Sequence, residues 1–524
     1  MAFTEKKRSF IGYFPAVLTG FLLAMSFPGT KCSPLAWVAL VPLMVSVKSM
    51  GRKQAFYAGL TAGMAFFISL IYWIVPTLNT YGGLPFFLAV PVLVLLAFYL
   101  GLYTGIFALV FNLLKTDSML MPLNAAAVWV GLEYLRSFLF TGFPWGTLGY
   151  SQYMNIHLIQ IADITGVYGI SFLIVMASAV FSMVWISIAK SGQYTERPGM
   201  KTNISCCIYL VIISISVSLY GMARLDTIHR KEKKSDKTTV SVVQGNINQA
   251  VKWDRAFKES TMKRYCDLSE KASHNRPDLI VWPETALPFY YPLDRNASAM
   301  VNRCIRKAGT NFLVGSPAFQ RGKNRLKFFN RAYMINKSAA VTGEYDKVHL
   351  VPFGEYVPFG KYLSFLGKLT AQAGDFSAGG NNFMPLKFKN HRAGVLICFE
   401  IIFPSLARNF VNNGADLLVN ITNDAWFGRT SAPLQHFSMT VFRAVENRRS
   451  LARAANTGIS GFIAPTGRIL MTSRLYEEMF LTEKLPCLKI KSFYTSFGDF
   501  FAFICLVAIP IIFMVNKKYN LKAL

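Results

Sequence analysis

Hydrophobic positions are spread along this chain in two different ways. Up to about residue 222 they form long unbroken runs, near Phe10–Phe27, Pro34–Val47, Ala55–Val75, Leu84–Leu114, Met119–Phe140, Ile164–Ala189 and Asn203–Met222. One more follows at Phe500–Val515. A helix that crosses a bilayer needs roughly 20 apolar residues. The runs therefore predict about eight transmembrane helices, with the second and last short and the fourth long enough to tilt or break. Between about Ala223 and Phe497 the pattern changes. The stretches "TTVSVVQGNI" (238–247), "PDLIVWPET" (277–285), "NFLVGSP" (311–317), "GVLICFE" (394–400) and "ADLLVNITND" (415–424) read as strands running into loops. Arg255–His274 and Pro404–Asn413 have the helical period; in the latter Phe403, Leu406, Ala407 and Phe410 share a face, and Gly414 is a stop signal. Strands mixed with helices predict an α/β or α+β globular domain. No repeat or low-complexity tract is visible, and "RKEKKSDK" (Arg230–Lys237) is the expected linker. The expected division is a seven-helix bundle over 1–223, a globular domain over 224–497, and a last helix with its tail over 498–524.

Charge changes this picture by giving it an orientation. Lysine and arginine outnumber acids 55 to 27, a formal net charge of +28 in a chain that is 53% hydrophobic. Such an excess suits nucleic acid or an anionic membrane; no nucleic-acid module is apparent, and the apolar runs favour the membrane. Positive residues precede the first run (Lys6, Lys7, Arg8) and follow the second (Lys48, Arg52, Lys53), fourth (Lys115), sixth (Lys190, Arg197, Lys201) and eighth (Lys517, Lys518, Lys522). The loops Pro76–Gly83 and Gly142–Asp163 have none. By the positive-inside rule both termini are cytoplasmic and the globular domain lies outside. "MAFTEKKRSF" has a signal-like charge but no small-x-small cleavage site follows, so a retained helix is expected. Glu133 and Arg136, in the fifth run, are costly in a bilayer unless paired or near its surface. They are expected to brace the junction with the external domain.

The eight cysteines, Cys32, Cys206, Cys207, Cys266, Cys304, Cys398, Cys487 and Cys505, form no CxxC or Cys/His pattern, so neither a metal site nor a disulfide framework is indicated. Candidate chemistry lies at strand ends. "IVWPET" delivers Glu284, "GVLICFE" delivers Cys398, and "YDKVHLVPFGEYVP" holds Lys347 and Glu355. Each has a plain explanation alone: a helix cap, a core thiol, solvated loop charges. Together they make an acyl-transfer set. A thiolate attacks, a carboxylate in a desolvated pocket takes its proton, and a lysine stabilises thiolate and oxyanion. Of His274, His349, His391 and His436, only His349 lies in a motif-like context. It alternates with Lys347 along an apparent strand and should point away from it, which argues against a Cys–His pair.

The order Glu284, Lys347, Cys398, with the flanks "WPE", "KVHLVPFGEYVP" and "CFE", resembles the nitrilase superfamily. Within it the chain resembles the apolipoprotein N-acyltransferase family, through "TGFPWGTLGYSQ" (141–152), "VQGNINQAVKWD" (243–254), "NITNDAWFG" (420–428) and "QHFSMTVFRAVENRRSLARAANTGIS" (435–460). The resemblance implies an external, periplasmic nitrilase-like α-β-β-α sandwich, on a multi-pass monomer of the bacterial inner membrane. It implies transfer of an acyl chain from a phospholipid, through a thioester on Cys398, to the α-amino group of a diacylglyceryl-modified N-terminal cysteine of an apolipoprotein. By position Glu284 is then the general base, Lys347 the oxyanion partner and Cys398 the nucleophile. Glu355 and Glu400 support the site, Trp253 handles substrate, and Asn423 and Trp426 join the supporting set. No metal or organic cofactor is implied. Phe399 stands where the family often has tyrosine, and Ala432 where glycine is usual. The segment 353–369, with Phe359, Leu363, Phe365, Leu366 and Leu369 among Lys361 and Lys368, reads as an interfacial segment or as an ordinary lid. A hydrolase of the same fold is the nearest alternative. A transporter or receptor is the more distant one, opposed by the ordered acid, lysine and thiol and by the lack of matching broken helices.

Overall fold

The computed structural model describes residues 13–189, 194, 197–249, 252, 254–321, 326–356 and 376–522. It divides into two compact units. One comprises Met1–Ile74, Phe87–Arg224 and Phe497–Leu524; the other comprises Val75–Phe86 and Leu225–Ser496.

The first unit is helical. Among the described residues three helices are long and apolar enough to cross a membrane, Phe86–Leu113, Tyr168–Ile188 and Met200–Lys234, or up to 4 if Arg52–Leu70 is taken with the bent segment after it. Phe14–Met25, Ser33–Val47 and Phe500–Asn516 are shorter apolar helices, and Met121–Arg136 is a further one of 16 residues. Small residues let these helices approach. A Cβ added at Gly59 would lie 2.4 Å from the Ala108 Cβ, and one at Gly63 would lie 2.7 Å from the Gly101 Cα. Close packing of this kind holds helices together where apolar burial gives no drive. On Met200–Lys234 the exposed residues Ile204, Ile208, Val211, Ile215, Leu219 and Met222 recur every three or four positions, an outward apolar stripe suited to lipid. Glu133 and Arg136 are buried. The Glu133 carboxylate accepts the Leu148 N–H at 2.7 Å, and the Arg136 guanidinium lies 5.1 Å from the Phe67 ring centre; these partners belong to the first unit.

The expected linker is not one. Met200–Lys234 is a single helix of 35 residues that runs through "RKEKK", and Lys237 already opens the first strand. The stretch has no glycine or proline to stop it, its Arg, Lys and Glu are good helix formers, and Arg230 pairs with Asp226 one turn back at 2.6 Å.

The second unit holds two six-stranded sheets. The strands are β1 Lys237–Gln244, β2 Leu279–Val281, β3 Asn311–Arg321, β4 Leu326–Ile335, β5 Val341–Asp346, β6 Leu386–Phe388, β7 His391–Ile397, β8 Leu417–Thr422, β9 Ser450–Ala455, β10 Gly461–Ile463, β11 Ile469–Thr472 and β12 Met479–Pro486. One sheet runs β12-β1-β2-β3-β4-β5 and the other β11-β10-β9-β8-β7-β6. In the first, β1, β2 and β3 are parallel and their neighbours antiparallel. In the second the same holds for β7, β8 and β9. Helices Lys258–Ser273 and Arg295–Ala308 make the crossovers of the first sheet, and Pro404–Asn412 and Ala432–Asn447 those of the second. The helices pack on their own sheets, and β1 meets β9 where the two sheets face each other. The layers are therefore helix, sheet, sheet, helix. The strand plan is repeated although the sequence contains no visible repeat, because a plan of this kind needs only a matching order of apolar runs and crossovers.

Candidate active site

Parallel strands expose their C-terminal ends together, and here those ends supply most of the reactive groups. Cys398 immediately follows β7 as the first residue of a short helical turn, Cys398–Ile402. Its φ is +54°. A non-glycine residue in that region is strained and needs surroundings that enforce it. Glu400 supplies them. One oxygen accepts the Ile397 N–H at 2.7 Å; the other accepts the N–H groups of Val348 at 2.7 Å and His349 at 3.2 Å and the Tyr345 hydroxyl at 2.9 Å. Asn420, on β8, donates to the carbonyls of Leu396 and Cys398 at 2.9 and 3.4 Å. Val395, Leu396 and Ile397 are fully buried behind the turn, so the strand anchors the thiol where the core stops.

Lys347 follows β5. Its own N–H makes the last ladder bond, to the Asn330 carbonyl at 2.9 Å, after which the Glu400 carboxylate takes the Val348 and His349 amides in place of a sheet partner. The strand expected to continue through Lys347 and His349 therefore ends at Asp346, and alternation of faces does not apply to them. His349 instead lies against Phe403, with ring centres 3.8 Å apart. Burial, aided by the Lys347 charge, lowers it to about 4, so it is a neutral aromatic filler near neutral pH.

The carboxylates converge on Lys347. Its ammonium, 1% exposed in the side chain, donates to Glu355 at 2.9 Å and to Glu284 at 3.4 Å. Glu284 lies on the loop after β2; its first oxygen also accepts Asn330 Nδ2 at 2.7 Å, and its second accepts the Asn423 N–H at 2.9 Å. Asn330 Nδ2 reaches Glu355 as well, at 3.1 Å, and the remaining Glu355 oxygen accepts the Val351 N–H at 2.9 Å. Burial alone would lower the Lys347 ammonium, but Glu355 and Glu284 outweigh it and the group is held well above its ordinary value. It remains a cation. Burial, then the Glu284 charge, pushes the Cys398 thiol up, against the pull of Lys347 and a hydrogen bond from Thr422. The resting sulfur is thus a thiol that must give up a proton to become a nucleophile.

Glu284, Lys347, Glu355 and Asn423 are thereby joined in one hydrogen-bonded network, with Cys398 in its field and Glu400 tying its turn to that of Lys347. Phe399 is buried in an aromatic cluster, 5.5 Å from Phe403 and 6.2 Å from His349 between ring centres. Trp426 is half-buried and meets Tyr81 edge-on at 5.5 Å, while its carbonyl accepts the Thr77 hydroxyl at 2.9 Å. Trp253 and most of the 353–369 segment lie outside the described residues.

Several participants escaped the sequence reading. Asn330 sits mid-strand in "KFFNRAYMI", where a neutral amide attracts no notice. Asp424, His436 and Arg453 form a fully buried cluster near Cys398: Asp424 accepts from Arg453 at 2.7 Å and contacts His436 Nδ1 at 3.0 Å, and Thr422 donates to it at 2.9 Å. Burial opposes the Asp424 charge, yet Arg453 and His436 hold its carboxyl well below the usual range. The signal was present in "NITNDAWFG" and "QHFSMTVFRAVENRRSLARA", but its parts are about thirty positions apart. Elsewhere in the unit His391, Asp416 and Cys487 bring donor atoms within 4.8 Å of one another. The Arg449 guanidinium lies in the field of both Asp416 and Cys487, and the Asp416 carboxylate accepts the Arg392 N–H at 3.0 Å.

Comparison with known proteins follows the same division. Residues 19–180 match the family model described as the apolipoprotein N-acyltransferase N-terminal domain, and residues 239–490 match that described as carbon-nitrogen hydrolase. An apolipoprotein N-acyltransferase of Geobacter metallireducens is 44% identical over 95% of this chain and 94% of its own length. One from Haemophilus influenzae is 31% identical over 93% and 91%. Among solved structures, a carbon-nitrogen hydrolase from Helicobacter pylori covers 48% of this chain and 89% of its own at 17% identity and a TM-score of 0.37. An amidase from Nesterenkonia sp. AN1 covers 49% and 93%, at 20% identity and a TM-score of 0.38.

Proposed function

The chain belongs to the apolipoprotein N-acyltransferase family, and from that premise we propose that it moves an acyl chain from a membrane phospholipid to the α-amino group of an S-diacylglyceryl cysteine at the N-terminus of an apolipoprotein. The observation that carries the residue assignment is the Glu284 carboxylate, held between Lys347 and the Asn423 amide in the field of the Cys398 thiol.

In the first half-reaction Glu284 takes the Sγ proton and the thiolate attacks the ester carbonyl of the donor. Lys347, a permanent ammonium, faces the oxyanion that develops. Collapse breaks the ester C–O bond, and Glu284 returns its proton to the departing lysophospholipid oxygen, leaving a thioester on Cys398. In the second half the acceptor amine attacks the thioester carbonyl, Glu284 takes the amine proton, and collapse breaks the C–S bond. The proton returns to sulfur and the product is an amide. The enzyme is proposed to act as a monomer, with Glu284, Lys347 and Cys398 carrying these steps.

The membrane reading belongs to the same proposal. The chain spans the bacterial inner membrane about eight times, with 1–223 as the seven-helix bundle and 498–524 as the last helix and tail. Both termini are cytoplasmic and the catalytic domain, 224–497, is periplasmic, where lipidated acceptors reside. Loop charge and the outward apolar stripe on Met200–Lys234 support this. The hydrolytic alternative has no observation in its favour.

Intact mass spectrometry of protein purified from membranes tests the proposal. A fatty-acyl adduct mapping to Cys398, absent from Cys398→Ala, is expected, together with loss of lipopeptide N-acylation in that variant. An Ala variant that still N-acylates would overturn the assignment of the nucleophile.

A further inference from the structure

A second lysine is buried against the turn that carries the general base. Lys252, in the loop after β1, is 2% exposed. Its ammonium donates to the Thr285 hydroxyl at 2.7 Å and approaches the Glu284 carbonyl at 3.4 Å. Those two residues form the turn that presents the Glu284 carboxylate, and the turn is strained: Thr285 has φ +46°, a region that β-branched residues rarely occupy. Its other face presses on β3. A Cβ added at Gly315 would fall 2.6 Å from the Thr285 nitrogen and 2.8 Å from the Glu284 Cα. The turn is therefore held between a glycine backbone on one side and the Lys252 ammonium on the other.

A buried ammonium whose near partners are a hydroxyl and a carbonyl is expensive unless its charge is used. The contrast with Lys347 is direct. Lys347 has two carboxylates in hydrogen-bond reach and is held upward. Lys252 has neutral acceptors, and burial lowers it to about 8, opposed by the charges of Glu284 and Cys398. Glu284 and the Cys398 thiol are the titratable groups that face it, and Lys347, bonded to the same carboxylate, remains protonated through this range.

We propose that Lys252 is a positioning residue that clamps the turn bearing Glu284 and supplies a second cation to the ionising Cys398, so that acylation requires both ammonium groups. It neither gives up nor receives a proton during turnover: the thiol proton passes to Glu284, and Lys252 holds the carboxylate in place and offsets the sulfur's growing charge. The inference rests on the assignment of Cys398 and Glu284 in the proposed function.

The test is single-turnover acylation of Cys398, followed by intact mass, in the full-length protein in detergent with phosphatidylglycerol, a donor without a titrating amine. Rates are taken from mildly acid conditions to well above pH 8 for the unsubstituted protein, Lys252→Arg and Lys252→Met. The unsubstituted protein should lose rate as pH rises through about 8. Lys252→Arg should keep its plateau through that range, because a guanidinium does not titrate there. Lys252→Met should be slower throughout by about 10- to 100-fold, the scale of a misplaced reacting group, with no such upper limb. Identical pH profiles for the unsubstituted protein and Lys252→Arg would overturn the inference. If the Met variant fails to fold, the Arg comparison decides alone. Absence of any Cys398 adduct in the unsubstituted protein would remove the functional reading itself, and this inference with it.

Discussion

In the sheet containing β7, the reactive turn is held by main-chain groups. Glu400 gathers three N–H groups and the Tyr345 hydroxyl, and Asn420 secures the carbonyls of Leu396 and Cys398. In the sheet containing β2, the equivalent strand end is held by two lysines and two amides. Glu284 is placed by Lys347, Asn330, the Asn423 amide and, through its turn, Lys252. The same strand plan thus carries two kinds of support. A nucleophile must be aimed and its partner atoms fixed, which suits a rigid backbone cage. A base must gain and lose a proton in place, which suits a carboxylate whose neighbours tolerate both states.

The largest break in this comparison should come from the charged half. Glu284→Gln keeps shape and most hydrogen bonds but cannot take a proton, so single-turnover acylation should fall by about a thousandfold, within the range for loss of a general base. Because both carboxylate oxygens accept hydrogen bonds, the amide NH2 must face a donor, and a loss of about 1 to 3 kcal/mol in stability is expected. Lys347→Met should lower the rate about 100-fold or more, as for a lost oxyanion partner. It should also destabilise the fold by about 3 to 5 kcal/mol, because two buried carboxylates lose their common cation. The two variants should therefore rank oppositely, Glu284→Gln losing more rate and Lys347→Met more stability. If Glu284→Gln kept a tenth or more of the rate, the base would have to be another group.

Glu400→Gln tests the backbone half. Both carboxylate oxygens accept hydrogen bonds, so an amide must turn its NH2 toward at least one N–H donor. The expected loss is about 1 to 3 kcal/mol of stability and up to about 100-fold in rate through misaiming of Cys398. The pH dependence has a definite sign. Burial raises Glu400 from its ordinary 4.5 to about 7, against the amides and Lys347 that favour the charged form. Between 4.5 and 7 the folded chain binds more proton than the unfolded one, so this group's contribution to stability is full below that window and lost as pH rises through it. Across the window the unfolding temperature of the unsubstituted protein should therefore fall relative to that of Glu400→Gln. Parallel curves would show that Glu400 does not titrate there.

The legible parts of the site were those where a charged or nucleophilic residue ends a strongly apolar strand, as in "IVWPE" and "GVLIC". Period-2 and β-branched patterns find such strands, and the change to a reactive side chain marks where the core stops. Asn330 was invisible because its function depends on lying midway between Glu284 and Glu355, a relation made only by pairing β4 with β5. Lys252 read as one letter of a motif, since nothing local reveals that its chain end is buried. The Asp424–His436–Arg453 cluster is assembled from the turn after β8, β9 and a crossover helix. The linker misreading has a different origin: charge density suggests solvent exposure but says little about backbone conformation, and lysine-rich stretches make good helices.

The smallest and most discriminating change is Phe399→Tyr, which restores the residue often found beside the nucleophile in this family. If the backbone half only aims the thiol, a hydroxyl at this position has no part in the chemistry. The Phe399 ring is 8% exposed and packs beside His349, whose buried Nε2 has no hydrogen-bond partner among the described residues. A tyrosine hydroxyl that reached that nitrogen would be satisfied and the fold nearly unchanged; one that did not would cost about 1 to 3 kcal/mol as a buried unpaired group. In either case the acylation rate per folded molecule should stay within about threefold, less than about 1 kcal/mol in barrier. A gain above tenfold in either half-reaction, measured separately as adduct formation and adduct consumption, would mean that the hydroxyl touches a reacting group and that the nucleophile's sheet contributes chemistry as well as aim.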